Sequence, residues 1–302
     1  MIKPFLTMKE KEVLIPEELA LHPAKTDLLS VINNRKFKDK VLYKIKSDFH
    51  NIKIVENEVG RFLHYKNTYQ AGFINTDYYI GNLPYINYFL VPYLIKPDIK
   101  NILLIGLGTG KLVKDFEFLF DKLNNIDVID IEENILDLAV NYFDFKPSEK
   151  FNFILQDGII YLRTCKRKYD LIVVDVANNE GIDLRFLTDE YLKLIRKNLH
   201  KSGIFVSNMC SSADFENSKN IFFKKFFPLY KQNFKYNLVF KGNYSDKIYY
   251  KAFFNLQERV IDVTNVIIIS SDLYKNIPQN KEAKNKISML NIDINKYLED
   301  LY

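Results

Sequence analysis

Between Asn101 and Asn208 the chain repeats short, unbroken apolar runs separated by amphipathic segments, and few folds accommodate that rhythm. The runs Asn101 to Ile105, Ile126 to Ile131, Phe151 to Leu155, Leu171 to Asp175 and Gly203 to Asn208 are rich in Ile, Leu, Val and Phe, with little alternation. A strand with one wet face alternates polar and apolar residues, whereas a strand covered on both faces by helices does not need to. Lys111 to Leu123, Glu133 to Phe143, Ile159 to Arg163 and Thr188 to Leu199 space their apolar residues as helices do. The alternation predicts a doubly wound, Rossmann-like α/β sheet. Upstream, VLYKIKS, NIKIVEN and RFLHYKN nearly alternate, with Gly60 at a turn, which predicts a small antiparallel β unit. The chain therefore divides into an N-terminal arm (1–40, with an amphipathic stretch from Ala24 to Ile32), a small β domain (41–80), an α/β domain (81–275) and a surface helix or tail (276–302). Leu238 to Phe240, Ile248 to Phe254 and Val266 to Ser270 are expected as late strands of the α/β domain.

Composition removes several function classes. The formal charge of +5 is a mild excess dominated by Lys, without the Arg-rich clustering expected of a nucleic-acid surface. Phe222 to Lys231 interleaves aromatics with lysines, and a helix burying Phe and exposing Lys accounts for it without nucleic acid. No apolar run approaches the length needed to span a bilayer, and the N-terminus lacks the pattern of a secretory signal, so a cytoplasmic protein with no membrane partner is expected. Cys165 and Cys210 cannot form a disulfide framework, and His22, His50, His64 and His200 lack metal-ligand spacing, so no metal is expected. Basic residues from Lys166 to Lys168 flank Cys165, but no motif places a His beside it, which leaves a catalytic thiol unsupported.

The residues that carry chemistry begin at Gly106-Leu-Gly108-Thr109-Gly110. A strand runs into this turn and a helix leaves it, and alternate glycines let the backbone pass close to a ligand. The spacing is not that of a triphosphate-binding loop. Asp130 ends the next strand 20 residues after Gly110, a position from which a carboxylate can accept hydrogen bonds from ribose hydroxyls. Asp157-Gly158 ends the third strand, where the acid could accept from an adenine amino group, and Asp175 ends the fourth. Carboxylates at successive strand ends converge on the crevice where open α/β sheets bind ligands. Each could instead cap the helix that follows it.

The stretch from Ile102 to Asn208, with GLGTG, VIDIEENILDLAVNYF, QDGIIYL, YDLIVVD, FLTDEYLKLIRKNL and SGIFVSN, resembles the nucleoside-binding domain of the spermidine synthase family. Ser47-Asp48-Phe49, Gly60-Arg61-Phe62-Leu63 and Gln70 are similar to that family's N-terminal β domain. The resemblance covers roughly residues 41 to 270 and implies a class I methyltransferase-like domain behind a small β domain. It implies that Asp130 holds the ribose, that Asp157 and Gly158 form the adenine site, and that Gln70 contacts the nucleoside. It further implies that Asp175 activates an attacking amine. The implied co-substrate is decarboxylated S-adenosylmethionine, the acceptor a small amine, the pathway polyamine biosynthesis and the assembly a homo-oligomer.

Departures from the family pattern narrow this reading. Thr109 stands where spermidine-forming enzymes carry an acid in the Gly-rich loop, and Asn178 stands where they carry a second acid after the catalytic one. Their His-Glu pair has no match between Tyr78 and Val91. Fewer carboxylates mean weaker binding of a diamine's ammonium ends. A neutral Thr109 would also cease to repel the methionine carboxylate of S-adenosylmethionine, which admits the ordinary methyl donor. Glu180 or Asp183 could supply replacement charge from the following loop. Three expectations follow: aminopropyl transfer in a divergent spermidine synthase-like branch, methyl transfer from S-adenosylmethionine, or a non-catalytic nucleoside-binding role.

Overall fold

A computed structural model describes residues 38–65, 68–77, 79–176, 184–212, 222–244, 247–248 and 263–302. The Ala24 to Ile32 stretch, Asn178, Glu180 and Asp183 lie outside the described residues, as does most of the strand expected from Ile248 to Phe254. Ile248 itself is buried in a helical turn rather than a strand.

Five strands, β1 (Lys40–Lys46), β2 (Asn51–Asn57), β3 (Gly60–Tyr65), β4 (Thr68–Asn75) and β5 (Ile80–Asn82), pair antiparallel in sequence order. Asn57 turns β2 into β3: its Oδ1 accepts the backbone N–H groups of Val59 at 2.9 Å and Gly60 at 3.2 Å. Ile52, Ile54 and Leu63 are fully or almost fully buried, the inward half of the alternation read from the sequence, while Phe62, next to Leu63 and so on the other face, is buried beside the Tyr69 ring. A 3₁₀ turn, Pro84–Leu90, and the short helix α1 (Val91–Ile95) then lead into the larger domain.

The larger domain contains β6 (Asn101–Ile105), α2 (Lys111–Leu119), β7 (Asn125–Asp130), α3 (Ile135–Tyr142), β8 (Phe151–Leu155), α4 (Gly158–Thr164) and β9 (Tyr169–Val174). It continues through α5 (Asp189–Asn198), β10 (Leu199–Ser212), α6 (Phe227–Asn233), β11 (Tyr236–Lys241) and β12 (Val263–Ser271). The sheet order is β11-β12-β10-β9-β6-β7-β8; β6 to β10 are parallel and β12 is antiparallel to both its neighbours. Ile102, Leu104, Val128, Leu171 and Val173 pack on one face with α2, α1 and the small sheet. Leu103, Ile105, Ile129, Ile172 and Val174 pack on the other with α4, α5 and α6. Both faces are apolar, which is why these runs show no alternation. Phe223, Phe226 and Phe227 pack half-buried against the second face, as the helical reading of that Lys- and Phe-rich segment requires.

The last segment forms two short helices, α7 (Lys281–Ser288) and α8 (Ile294–Leu298). Ala283, Ile287, Ile294 and Tyr297 are buried, so the segment packs into the core more deeply than its Lys- and Asn-rich composition suggests. No helix among the described residues is long and apolar enough to cross a membrane.

One buried acid ties the second face together. Asp127, fully buried in β7, accepts from Tyr169 Oη at 2.6 Å, Asn152 Nδ2 at 2.8 Å and Arg167 Nη1 at 2.8 Å. These partners, with Asn125, hold its carboxyl below the usual carboxylate range although burial opposes this. Asp127→Ala should therefore lower stability by about 2 kcal/mol in urea unfolding, because it takes the charged acceptor from the buried Tyr169 hydroxyl, while the exposed Arg167 guanidinium returns to water. Since the folded carboxyl is the stronger acid, the wild-type advantage should be full above about pH 4 and fade as pH falls through the depressed folded value.

Candidate functional site

The turn after β6 is shaped by backbone conformations that favour glycine: φ is +99° at Gly106, +56° at Gly108 and +76° at Gly110. Space forbids a side chain as well. A Cβ on Gly106 would lie 2.3 Å from the Asp175 carbonyl oxygen, and one on Gly110 would lie 2.4 Å from the Phe145 ring. Gly106 N–H donates to the Ile129 carbonyl at 2.8 Å, so the turn starts while still laddered to β7.

Asp130, at the end of β7, fixes the turn from the side. Its Oδ2 accepts Leu107 N–H at 2.9 Å and its Oδ1 accepts Glu132 N–H at 2.9 Å. Burial pushes its pKa up, while the two amides and nearby His50 work in the opposite direction. Glu132 is fully buried, and its Oε2 accepts Ser47 Oγ at 2.5 Å and meets His50 Nδ1 at 3.3 Å. His50 stacks on Tyr65 with ring centroids 4.0 Å apart. The small sheet is therefore anchored beside Asp130 by a buried ionisable pair from its first turn. A further link comes from Arg61, whose Nη1 donates to the Tyr142 carbonyl at 2.9 Å.

Asp157 caps α4, accepting Ile159 N–H at 2.9 Å and Ile160 N–H at 3.0 Å with Oδ1, while Oδ2 pairs with Arg185 at 2.9 Å. Gly158 is required by packing, since a Cβ there would sit 2.6 Å from Ile105 Cγ2. Asp175 lies at the end of β9, adjacent to β6, and its N–H donates to the Ile105 carbonyl at 3.0 Å. Its Oδ1 accepts Asn208 Nδ2 at 3.0 Å and its Oδ2 accepts Tyr85 Oη at 3.1 Å. Desolvation raises its pKa and these two neutral donors only partly offset it.

The structure thus brings Gly106, Gly108, Gly110, Asp130, Asp157, Gly158 and Asp175 to the same edge of four adjacent strands. Gln70 lies in β4, where its carbonyl is 3.5 Å from Tyr85 Oη; its neighbour Ala71 would be in contact with a Cβ on Gly108. Thr109 is buried in the turn. Tyr85 and Asn208 are the contacts that sequence reasoning missed. Asn208 offered one signal, an amide at the end of an otherwise apolar strand, while Tyr85 sits in an aromatic stretch with no distinguishing period.

A mostly parallel sheet in this strand order, with a glycine turn, a carboxylate after the second strand and a half-buried carboxylate after the fourth, defines an α/β fold of the class I methyltransferase type. The spermine/spermidine synthase domain is matched over residues 89–265, more than half of the chain, and the chain belongs to that family. It is 27% identical to the polyamine aminopropyltransferase of Buchnera aphidicola over 175 residues, covering 56% of this chain and 59% of that one. The corresponding Methanocaldococcus jannaschii protein is 28% identical over 171 residues, with 55% and 56% covered. The chain spans about three-fifths or less of these two curated relatives. A crystal structure of spermidine synthase from Thermotoga maritima shares the fold with a TM-score of 0.62, at 17% identity over 87% of this chain and 84% of that one.

Gly106→Ala should remove ligand binding at this edge and cost about 2 kcal/mol or more, because the added methyl meets backbone rather than a movable side chain. Equilibrium unfolding and nucleoside titration of the same sample check both parts.

Proposed function

We propose that the chain transfers an aminopropyl group from decarboxylated S-adenosylmethionine to a small amine, with Asp175 as general base. The observation that carries this reading is a half-buried carboxylate at the end of β9, beside the glycine turn, gripped on both oxygens by uncharged donors. Family membership and the names of the curated relatives support it. On this reading Asp130 binds the ribose, and the glycine turn and Gln70 border the sulfonium side. Asp157 and Gly158 receive the adenine, Asp157 exchanging Arg185 for the base's amino group. Bound in line, the amine nitrogen forms a bond to the methylene carbon beside sulfur as the carbon–sulfur bond breaks. The bonding pair leaves on a neutral thioether, methylthioadenosine, which needs no acid. The surplus nitrogen proton passes to Asp175, whose desolvated carboxylate is a better base than an exposed one.

Thr109 supports a second reading. Buried and uncharged in the turn, it offers nothing to repel a methionine carboxylate, so S-adenosylmethionine could serve as a methyl donor at the same edge. Calorimetry separates the two. Tighter binding of the decarboxylated donor supports aminopropyl transfer, tighter binding of S-adenosylmethionine supports methyl transfer, and no binding of either or of methylthioadenosine overturns both.

Asp175→Asn should lower turnover by about 100-fold or more while leaving donor affinity nearly unchanged. Because burial raises the Asp175 pKa, wild-type kcat should climb with an acid limb above the ordinary carboxylate range, being low where Asp175 is protonated and full once it is ionised. That limb should be missing from whatever activity the variant retains.

A further inference from the structure

Tyr85 reaches Asp175 from the 3₁₀ turn Pro84–Leu90, and the same turn is gripped by the end of the chain. Asn87 Nδ2 donates to Tyr297 Oη at 2.6 Å, and the Tyr88 hydroxyl donates to the Asp300 carboxylate. Asp300 is itself held in place. Its carboxylate accepts Tyr244 N–H at 2.7 Å, its carbonyl accepts Lys241 N–H at 3.0 Å, and Leu301 pairs with Phe240 of β11. The Tyr297 ring meets Tyr88 and Tyr244 edge-on, with centroids 5.0 Å and 4.9 Å away. Asn87 is 6% exposed and Tyr88 is fully buried, so neither polar group has water as an alternative partner. Asn87, Tyr88 and Tyr85 share one tight turn, and a shift of about 1 Å in that turn would stretch the 3.1 Å contact to Asp175 beyond hydrogen-bonding range.

We propose that the C-terminal segment from Ile294 to Leu301 is a positioning element of the site, holding the Tyr85 hydroxyl on Asp175 through Asn87 and Tyr88. The family match ends at residue 265, so this grip lies outside it. The proposal rests on the reading of Asp175 as the base, but its test does not require turnover.

Carbon-13 NMR of aspartate-labelled protein, with the Asp175 signal assigned by its loss in Asp175→Asn, gives the protonation midpoint of Asp175 in the free protein. Tyr85 and Asn208 donate to that carboxylate and both are neutral, so loss of the Tyr85 bond has a clear sign. Tyr85→Phe and Asp300→Ala should each raise the midpoint by about one pH unit, the effect of one hydrogen bond to a charged acceptor. Asp300→Asn keeps an acceptor for Tyr88 and Tyr244 and should stay near wild type. The double variant Tyr85→Phe with Asp300→Ala should shift no further than either alone. An Asp300→Ala midpoint that stays at the wild-type value while Tyr85→Phe moves overturns the proposal, as does a Tyr85→Phe midpoint that does not move. If Asp300→Ala fails to fold, Tyr297→Phe, which removes only the hydroxyl that Asn87 contacts, is read the same way. Midpoints that move as expected in a protein showing no aminopropyl transfer uphold the positioning role and refute the proposed activity instead.

Discussion

The site depends on one carboxylate doing two jobs for the backbone. Asp130 receives an amide from the turn after β6 and another from the turn after β7, and so locks two loops that would otherwise be independent. Partly burying a carboxylate is costly, and here the two N–H donors and nearby His50 oppose that cost. In return the glycine turn keeps positive φ angles at three positions without relying on a ligand to hold them. Glu132 extends the same logic one residue pair further. Ser47 and His50 bring the small sheet to that carboxylate, so the surroundings of Asp130 are set partly by a separate sheet.

Much of this was legible in the sequence, and for identifiable reasons. The five apolar runs announced a sheet covered on both faces because such strands lose their alternation, and all five became strands of one sheet. The glycines at 106, 108 and 110 were informative because all three hold a positive φ, and a side chain at 106 or 110 would also collide with its surroundings. What stayed hidden depends on distant partners. Nothing local in Tyr85 distinguishes a contact to Asp175 from ordinary aromatic packing, since the two residues lie 90 positions apart. The buried partnership of His50 with Glu132 spans 82 positions and is equally silent. The C-terminal helices were misleading for a different reason: their four buried residues are diluted among lysines and asparagines, so composition describes the wet side only.

The site also has a particular electrostatic character. Around Asp175 the described donors are a phenol and a carboxamide, and the glycine turn contributes a threonine. On the proposed reading, a carboxylate held among the described residues by neutral donors can accept one proton and orient one nitrogen.

Among the described residues, β11 is the outermost strand of the larger sheet. Leu301 bridges to Phe240, and Tyr302 N–H donates to the Val239 carbonyl at 2.8 Å, so the end of the chain occupies part of its outer edge. An open edge of this kind recruits strands from neighbouring molecules. Residues 301 and 302 therefore cover part of the β11 edge, which leaves less of it for another strand to pair with.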